Sequence, residues 1–278
     1  MIIDFHAHLF PKAIRESREN YFQDPGFRLL YDRPKAPMAG VDALLDSMNA
    51  YGVNRSVVFG FPWQDSKTLS MHNDYIIETV QKYPDRLTGF CCLNPLHPDA
   101  VNEARRCLDA GLSGIGELAF YDRELDAPVL TALSPLMALC RSRDLPVLIH
   151  TNEPVGRRYP GKAPMTLAQI YRLVKRFADN TIILAHWGGG LLFYHLLKNE
   201  AKSALKNVFF DTAASPYLYD SAIFSAAAFV AGSDKILFGS DFPLIGPEKY
   251  LSQIQQSGLS AIDQARILGL NAARLLKL

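Results

Sequence analysis

At 278 residues, with 49% hydrophobic and 21% charged residues, the chain has the composition of a soluble globular protein with room for a full core. Its formal net charge of +1 gives no electrostatic reason to expect a nucleic-acid partner, and no run of roughly 18 uncharged apolar residues offers a membrane span. The opening Met1-Ile2-Ile3-Asp4-Phe5-His6 has neither a basic n-region nor an apolar h-region, so the expectation is a cytoplasmic protein with a small-molecule substrate. A homodimer is compatible with this reading. The four cysteines, Cys91, Cys92, Cys107 and Cys140, form no C-x-x-C pair and read as reduced and buried.

Along the chain, short apolar runs alternate with helical patterns. The runs cover residues 2–6, 56–60, 87–93, 114–118, 147–150, 182–186, 208–211 and 236–239. They are continuous in Val, Ile, Leu and Phe, the signature of strands covered on both faces. Between them, residues 41–51, 73–82, 100–110, 129–143, 167–178 and 221–231 have helical periodicity, and 260–278 reads as a terminal helix. Eight strand-then-helix units over this length predict a single-domain (β/α)8 TIM barrel spanning residues 1–278 rather than an open doubly wound sheet. The stretch from Phe10 to Gly40, with Pro11, Pro25, Pro34 and Pro37, has no clear period and follows the first strand. As a first βα loop it would lie over the catalytic mouth.

Residues two apart on a strand share a face, so His6 and His8 can reach one metal ion. Alone, such a pair is weak evidence; what strengthens it is placement. Glu117 falls at the end of the fourth run, His150 at the end of the fifth, His186 at the end of the sixth, and Asp241 just after the eighth. Active sites of these barrels are built at that end of the strands, so six metal-capable residues converge on one mouth. Asp4 would lie one layer below His6, either orienting an imidazole or pairing with neighbouring backbone.

The segments Ile-Asp-Phe-His-Ala-His-Leu (3–9), Pro-Val-Leu-Ile-His-Thr (146–151), Leu-Ala-His-Trp-Gly-Gly-Gly (184–190), Phe-Gly-Ser-Asp-Phe-Pro (238–243) and Asn-Ala-Ala-Arg-Leu (271–275) span nearly the whole chain. Together they resemble the amidohydrolase superfamily, and within it the amidohydrolase-2 group that includes aminocarboxymuconate-semialdehyde decarboxylase and several lactonases. The resemblance implies that His6, His8, His150 and Asp241 are metal ligands, with His186 a ligand or a catalytic residue. Glu117 bears on the metal count. In the TatD-like metal-dependent nucleases a similar Gly-Glu segment bridges two ions, and a glutamate ending a buried strand is costly unless paired. A binuclear site is therefore favoured over a single ion, with Glu117 bridging and His150 and His186 on the second ion.

Imidazoles and carboxylates suit a divalent ion such as Zn²⁺ or Mn²⁺, with zinc the expected one. Such an ion lowers the pKa of bound water from about 15.7 to about 7, and Asp241 can accept that proton. The leading expectation is thus a metal-dependent hydrolase of a small carboxylated amide or lactone. The alternative is a non-oxidative decarboxylase, a carboxy-lyase acting on an aromatic or muconate-type acid. A TatD-like nuclease and a non-catalytic metal- or ligand-binding barrel are further alternatives. For substrate contacts, Arg157 in the loop after His150 could clamp a carboxylate, with Arg158, Tyr159 and Lys162 beside it. Trp187, Phe61, Trp63 and Tyr217 could wall a pocket; loop packing is the competing role. His72, His97 and His195 have no strand-end placement and read as structural.

Overall fold

The computed structural model describes all 278 residues. Eight strands follow one another in parallel: β1 Ile3–His8, β2 Arg55–Phe59, β3 Leu87–Gly89, β4 Ile115–Leu118, β5 Val147–Ile149, β6 Ile182–Leu184, β7 Val208–Asp211 and β8 Ile236–Leu237. Hydrogen bonding is continuous through β1-β2-β3 and through β4 to β8. Two lone pairings join these arcs into a barrel: Cys91 beside Ile115, and Ala7 beside Phe242. Across the second seam the Phe5 amide donates to Phe238 O at 2.7 Å and the Asp241 amide to His6 O at 2.9 Å.

The side-chain alternation of each strand divides the core. Phe5, Val57, Phe59, Phe90, Leu148, Ile183, Phe209 and Leu237 form one fully enclosed group drawn from nearly every strand, which fills the barrel interior. Their neighbours Val147, Ile149, Ile182, Leu184, Val208, Phe210, Ile236 and Phe238 belong to a second, larger group that includes the buried faces of the helices. A barrel filled in this way is a plug, and chemistry is confined to its rim.

Strand boundaries depart from expectation mainly at β3, where the apolar run continues to Leu93 but ladder pairing ends at Gly89. The Phe10–Gly40 segment is more regular than its sequence suggests. It carries helices Lys12–Glu16 and Pro25–Tyr31, the second started by Asp24, whose carboxylate accepts the Phe27 amide at 2.9 Å, with Pro25 in the first turn. Aromatic packing pins it: Phe27 lies 4.5 Å from Trp63 and 4.8 Å from Tyr31 between ring centroids, and Phe10 lies 5.1 Å from Tyr31. The C-terminal helical stretch holds as Ala261–Ala265, a wider-turned Arg266–Leu270 and Asn271–Leu276. Asn271 ties it to β8, its Nδ2 donating to Ser233 O and Ile236 O. No helix is long and apolar enough to cross a membrane.

Candidate metal centre and active site

The residues at the strand ends meet. His6 Nε2 lies 3.3 Å from His8 Nε2, 3.5 Å from Asp241 Oδ1 and 3.8 Å from Glu117 Oε2. His8 Nε2 is 3.5 Å from the same Asp241 oxygen and 3.7 Å from Glu117 Oε2. His186 Nε2 stands 3.6 Å from Glu117 Oε1. Five residues from β1, β4, β6 and the turn after β8 therefore aim ligand atoms at one small volume.

Each imidazole is turned the right way by its other nitrogen. His6 Nδ1 is 2.8 Å from Asp211 Oδ2, His8 Nδ1 is 3.3 Å from Gly60 O, and His186 Nδ1 is 2.9 Å from Ala213 O. Acceptors at Nδ1 place the proton there and leave Nε2 facing the cluster, the arrangement that prepares a histidine to ligate a metal. Asp241 sits at a left-handed φ of 64° and donates its amide to His6 O, so the turn after β8 delivers its carboxylate beside β1. Asp4 serves this seam rather than an imidazole. Its Oδ1 accepts the Ser240 amide at 2.8 Å and the His6 amide at 3.1 Å, and the strand register slips between Asp4 and Ala7, which breaks the simple alternation expected there.

The electrostatics are those of a site short of positive charge. Burial pushes the Glu117 carboxyl up, but the His150 and His6 imidazoles outweigh it and hold it well below its ordinary value. Asp241 is held down against burial by its hydrogen bond to His8 and by the His6 charge. Burial opposes charging of His6, yet Asp211 and Glu117 raise it to about 10; against the same burial penalty, Glu117 and Asp241 raise His186 to about 9. Clustered buried carboxylates that draw protons onto imidazoles are the groups a cation would satisfy. Two triads that share His6, one with Glu117 and His186 and the other with His8 and Asp241, each bring ligand atoms close enough together to fit a divalent metal ion.

Other expected residues serve differently. His150 meets the set through Glu117: its Nδ1 is 3.0 Å from Glu117 Oε1, while its Nε2 is 2.9 Å from Gly161 O, so both nitrogens are already met. Trp187 does not wall the mouth, because it is fully buried, packs on Phe224 and donates its indole N–H to Ser215. Trp63 is likewise buried, donating to His72 Nδ1 at 2.9 Å, and Tyr217 is exposed. Tyr159 donates to Glu153 Oε2 at 2.8 Å, Lys162 is paired to Glu153 Oε1 at 2.9 Å, and Arg157 is exposed on that loop.

Three residues not anticipated from sequence complete the site. Asp211 ends the apolar strand Val208-Phe-Phe-Asp, a signal as readable as that of Glu117. Tyr31 comes from the first loop and Tyr121 follows β4. Tyr121 sits 5.2 Å from the His150 ring, stacks on Phe61 at 6.1 Å, and lines a cavity of about 360 Å³ walled also by Gly26, Leu96 and Phe120.

A parallel barrel with ligand-ready imidazoles and carboxylates at its C-terminal rim defines a class of metal-centre enzymes. Within that class the chain belongs to the amidohydrolase family, whose model matches residues 3–278. It is 24% identical, over a 277-residue alignment covering 86% of this chain and 84% of the relative, to gamma-resorcylate decarboxylase of Polaromonas sp. strain JS666. Among solved structures it resembles 5-carboxyvanillate decarboxylase from Sphingomonas paucimobilis, with a TM-score of 0.78, 17% identity and coverage of 100% and 99% of the two chains. It also resembles dihydroxybenzoic acid decarboxylase from Polaromonas sp. JS666 with bound manganese and the inhibitor 2-nitroresorcinol, at a TM-score of 0.72, 19% identity and coverage of 100% and 97%. These relatives are decarboxylases, which overturns the expectation of amide or lactone hydrolysis. The last of them holds manganese, and nothing in these relatives bears out zinc.

Proposed function

We propose that this protein is a divalent-metal-dependent, non-oxidative decarboxylase of an aromatic acid. The observation that carries this reading is the likeness to gamma-resorcylate decarboxylase over most of both chains, and the strand-end donor cluster agrees with it. The reaction converts an arene carboxylate and a proton into the arene and CO₂. The electron pair of the breaking C–C bond stays on the ring carbon, which must then be protonated, so no electron acceptor is needed.

A bound divalent ion would supply the positive charge that orients the acid and offsets charge building up on the ring. His6, His8, Asp241 and Glu117 are the residues that would hold it. His6 and His8 approach each other at 3.3 Å and both approach Asp241 at 3.5 Å and Glu117 within 3.8 Å, so one ion could be shared by all four. We assign that ion as manganese. His186, fixed by Ala213 O, presents Nε2 to the cluster and is the residue placed to carry the proton. His150 holds Glu117 in position rather than reaching a second ion.

The test is to load purified protein with Mn²⁺, supply 2,6-dihydroxybenzoate, and follow CO₂ and resorcinol together. Equal release of both, abolished by chelation and restored by Mn²⁺, is expected. Binding of the acid by the manganese protein without CO₂ release would sink the reading.

A further inference from the structure

Nothing in the metal cluster chooses among aromatic acids, so selection falls to the groups that face it from the loops. Tyr31 is 8% exposed, with its ring wedged between Phe10 and Phe27 and 6.1 Å from Phe61. Tyr121 lies between the 360 Å³ cavity and His150. Tyr159, Lys162 and His150 each have a partner within the chain, whereas neither the Tyr31 nor the Tyr121 phenol oxygen makes a hydrogen bond. Burial is the main reason both phenols are held above their ordinary pKa, and the Glu117 and Asp241 carboxylates add to it. They are therefore O–H donors and acceptors without charge.

The cations of the mouth are committed elsewhere. Arg15 donates to Phe10 O, Arg18 to the Arg33 and Ala36 carbonyls, and Lys162 is neutralised by Glu153. Arg28, Arg33, Arg157 and Arg158 are exposed. Arg123, which lines the cavity, is paired with Asp122 at 3.3 Å, and Asp24 lines it as a further carboxylate, so a substrate's second carboxylate would be buried there without a free cation, at a large desolvation cost. A ring hydroxyl would instead pair with a phenol at no charge penalty.

We propose that Tyr31 and Tyr121 are specificity-determining residues that read neutral hydroxyl groups on the ring, selecting hydroxylated monocarboxylic acids over dicarboxylic ones. This rests on the reading of the site as one for aromatic acids. It divides the chemistries of the relatives: the site is of the dihydroxybenzoate kind and not of the carboxyvanillate kind.

The experiment compares Mn²⁺-loaded wild type, Tyr31→Phe and Tyr121→Phe, measuring metal content, calorimetric Kd for benzoate, 2,6-dihydroxybenzoate and 5-carboxyvanillate, and CO₂ release. Phenylalanine keeps the ring packing, and the two variants test the proposal separately should one fail to fold. Wild type should bind the dihydroxy acid at least tenfold more tightly than benzoate or the diacid. Each variant should lose about tenfold for the dihydroxy acid while its Kd for benzoate changes less than twofold. Equal weakening for benzoate and the dihydroxy acid, or a diacid bound as tightly as the monoacid by wild type, overturns the proposal. Tyrosine-dependent preference without CO₂ release would leave it standing and remove the decarboxylase reading instead.

Discussion

Asp211 holds His6 from behind. Its Oδ2 accepts the Nδ1 proton at 2.8 Å, and its Oδ1 accepts the backbone amides of His186 at 2.9 Å and Ala213 at 3.0 Å. One fully buried carboxylate thus aims the β1 imidazole and anchors both the backbone of His186 and the turn after β7 whose Ala213 carbonyl holds the His186 ring. In Asp211→Asn the fold should survive, because the amide keeps the size and one acceptor oxygen, but the hold on His6 is weakened. Manganese affinity should fall about 10- to 100-fold, the usual cost of losing a partner that orients a ligand. Chelator competition followed by metal analysis measures it; unchanged affinity would show that the β1 pair is positioned without Asp211.

Metal binding should release a proton. In the metal-free protein His6 is raised to about 10 and His186 to about 9, burial opposing the shift and neighbouring carboxylates overriding it. Both imidazoles are therefore charged at neutral pH, and a cation that takes the His6 nitrogen displaces the proton there. Titration with Mn²⁺ in buffers of differing ionisation enthalpy should give release of about one proton, that of His6, at pH 7, fading above pH 10. The sign for stability follows from raised histidine pKa values. The ion pairs stabilise the metal-free fold fully below pH 6.5, and that contribution is lost as pH rises through 9 and 10. A metal-free protein whose melting temperature did not decline over that window would contradict the assignment.

The strand-end residues were legible because two periods and one architectural rule suffice to place them: alternation within a strand, repetition of strand and helix, and chemistry at the C-terminal rim. Loops obey none of these. Trp187 follows His186 directly, yet its φ of 60° belongs to a positive-φ run from His186 through Gly190 that turns the indole into the core, which no side-chain pattern announces. Tyr31 reaches the site only because Asp24 and Pro25 start a short helix inside a proline-rich segment, too brief for its period to register. His150 had the right type and position, but its orientation depends on where Gly161 O lies, and that is a property of the fifth loop's path. Asp211 is readable by the same rule, an acid closing an apolar strand.

His72 should make the protein acid-sensitive. It is buried, accepts the Trp63 indole proton at Nδ1, and donates from Nε2 to Leu9 O at 2.6 Å, bracing the first loop against the helix Ser66–Lys82. Burial depresses it to about 4, so it is neutral in the fold and charges readily once unfolded. Between pH 6.5 and 4 the unfolded chain binds the extra proton, and stability falls as pH falls, by about 3 kcal/mol across the window. Denaturant melts of wild type and His72→Gln over pH 4 to 7 check this. The variant should be about 2 kcal/mol less stable at pH 7 and show a shallower decline toward pH 4. An equal slope in both proteins would assign the acid sensitivity elsewhere.

Gly189 couples the two loops that carry His150 and His186. Its φ is +60°, and a Cβ placed there would lie 2.2 Å from Asn152 O, a backbone atom with no freedom to withdraw. Asn152 is itself fixed, its side chain accepting the Ala163 amide at 2.8 Å and donating to Ala163 O at 3.2 Å, so displacement would propagate toward Gly161, the partner of His150. Gly189→Ala should therefore cost about 2 to 4 kcal/mol in denaturant unfolding, combining left-handed strain with a backbone clash. In protein that still folds, CO₂ release should drop more than manganese affinity, because His6 and His8 lie on β1 and Asp241 in the turn after β8. Gly190→Ala is the control: its φ is +97° but nothing lies within 4 Å of the added methyl, so only the conformational strain of about 1 to 2 kcal/mol applies. Equal losses in the two variants would mean that the close approach to Asn152 has no part in holding the site.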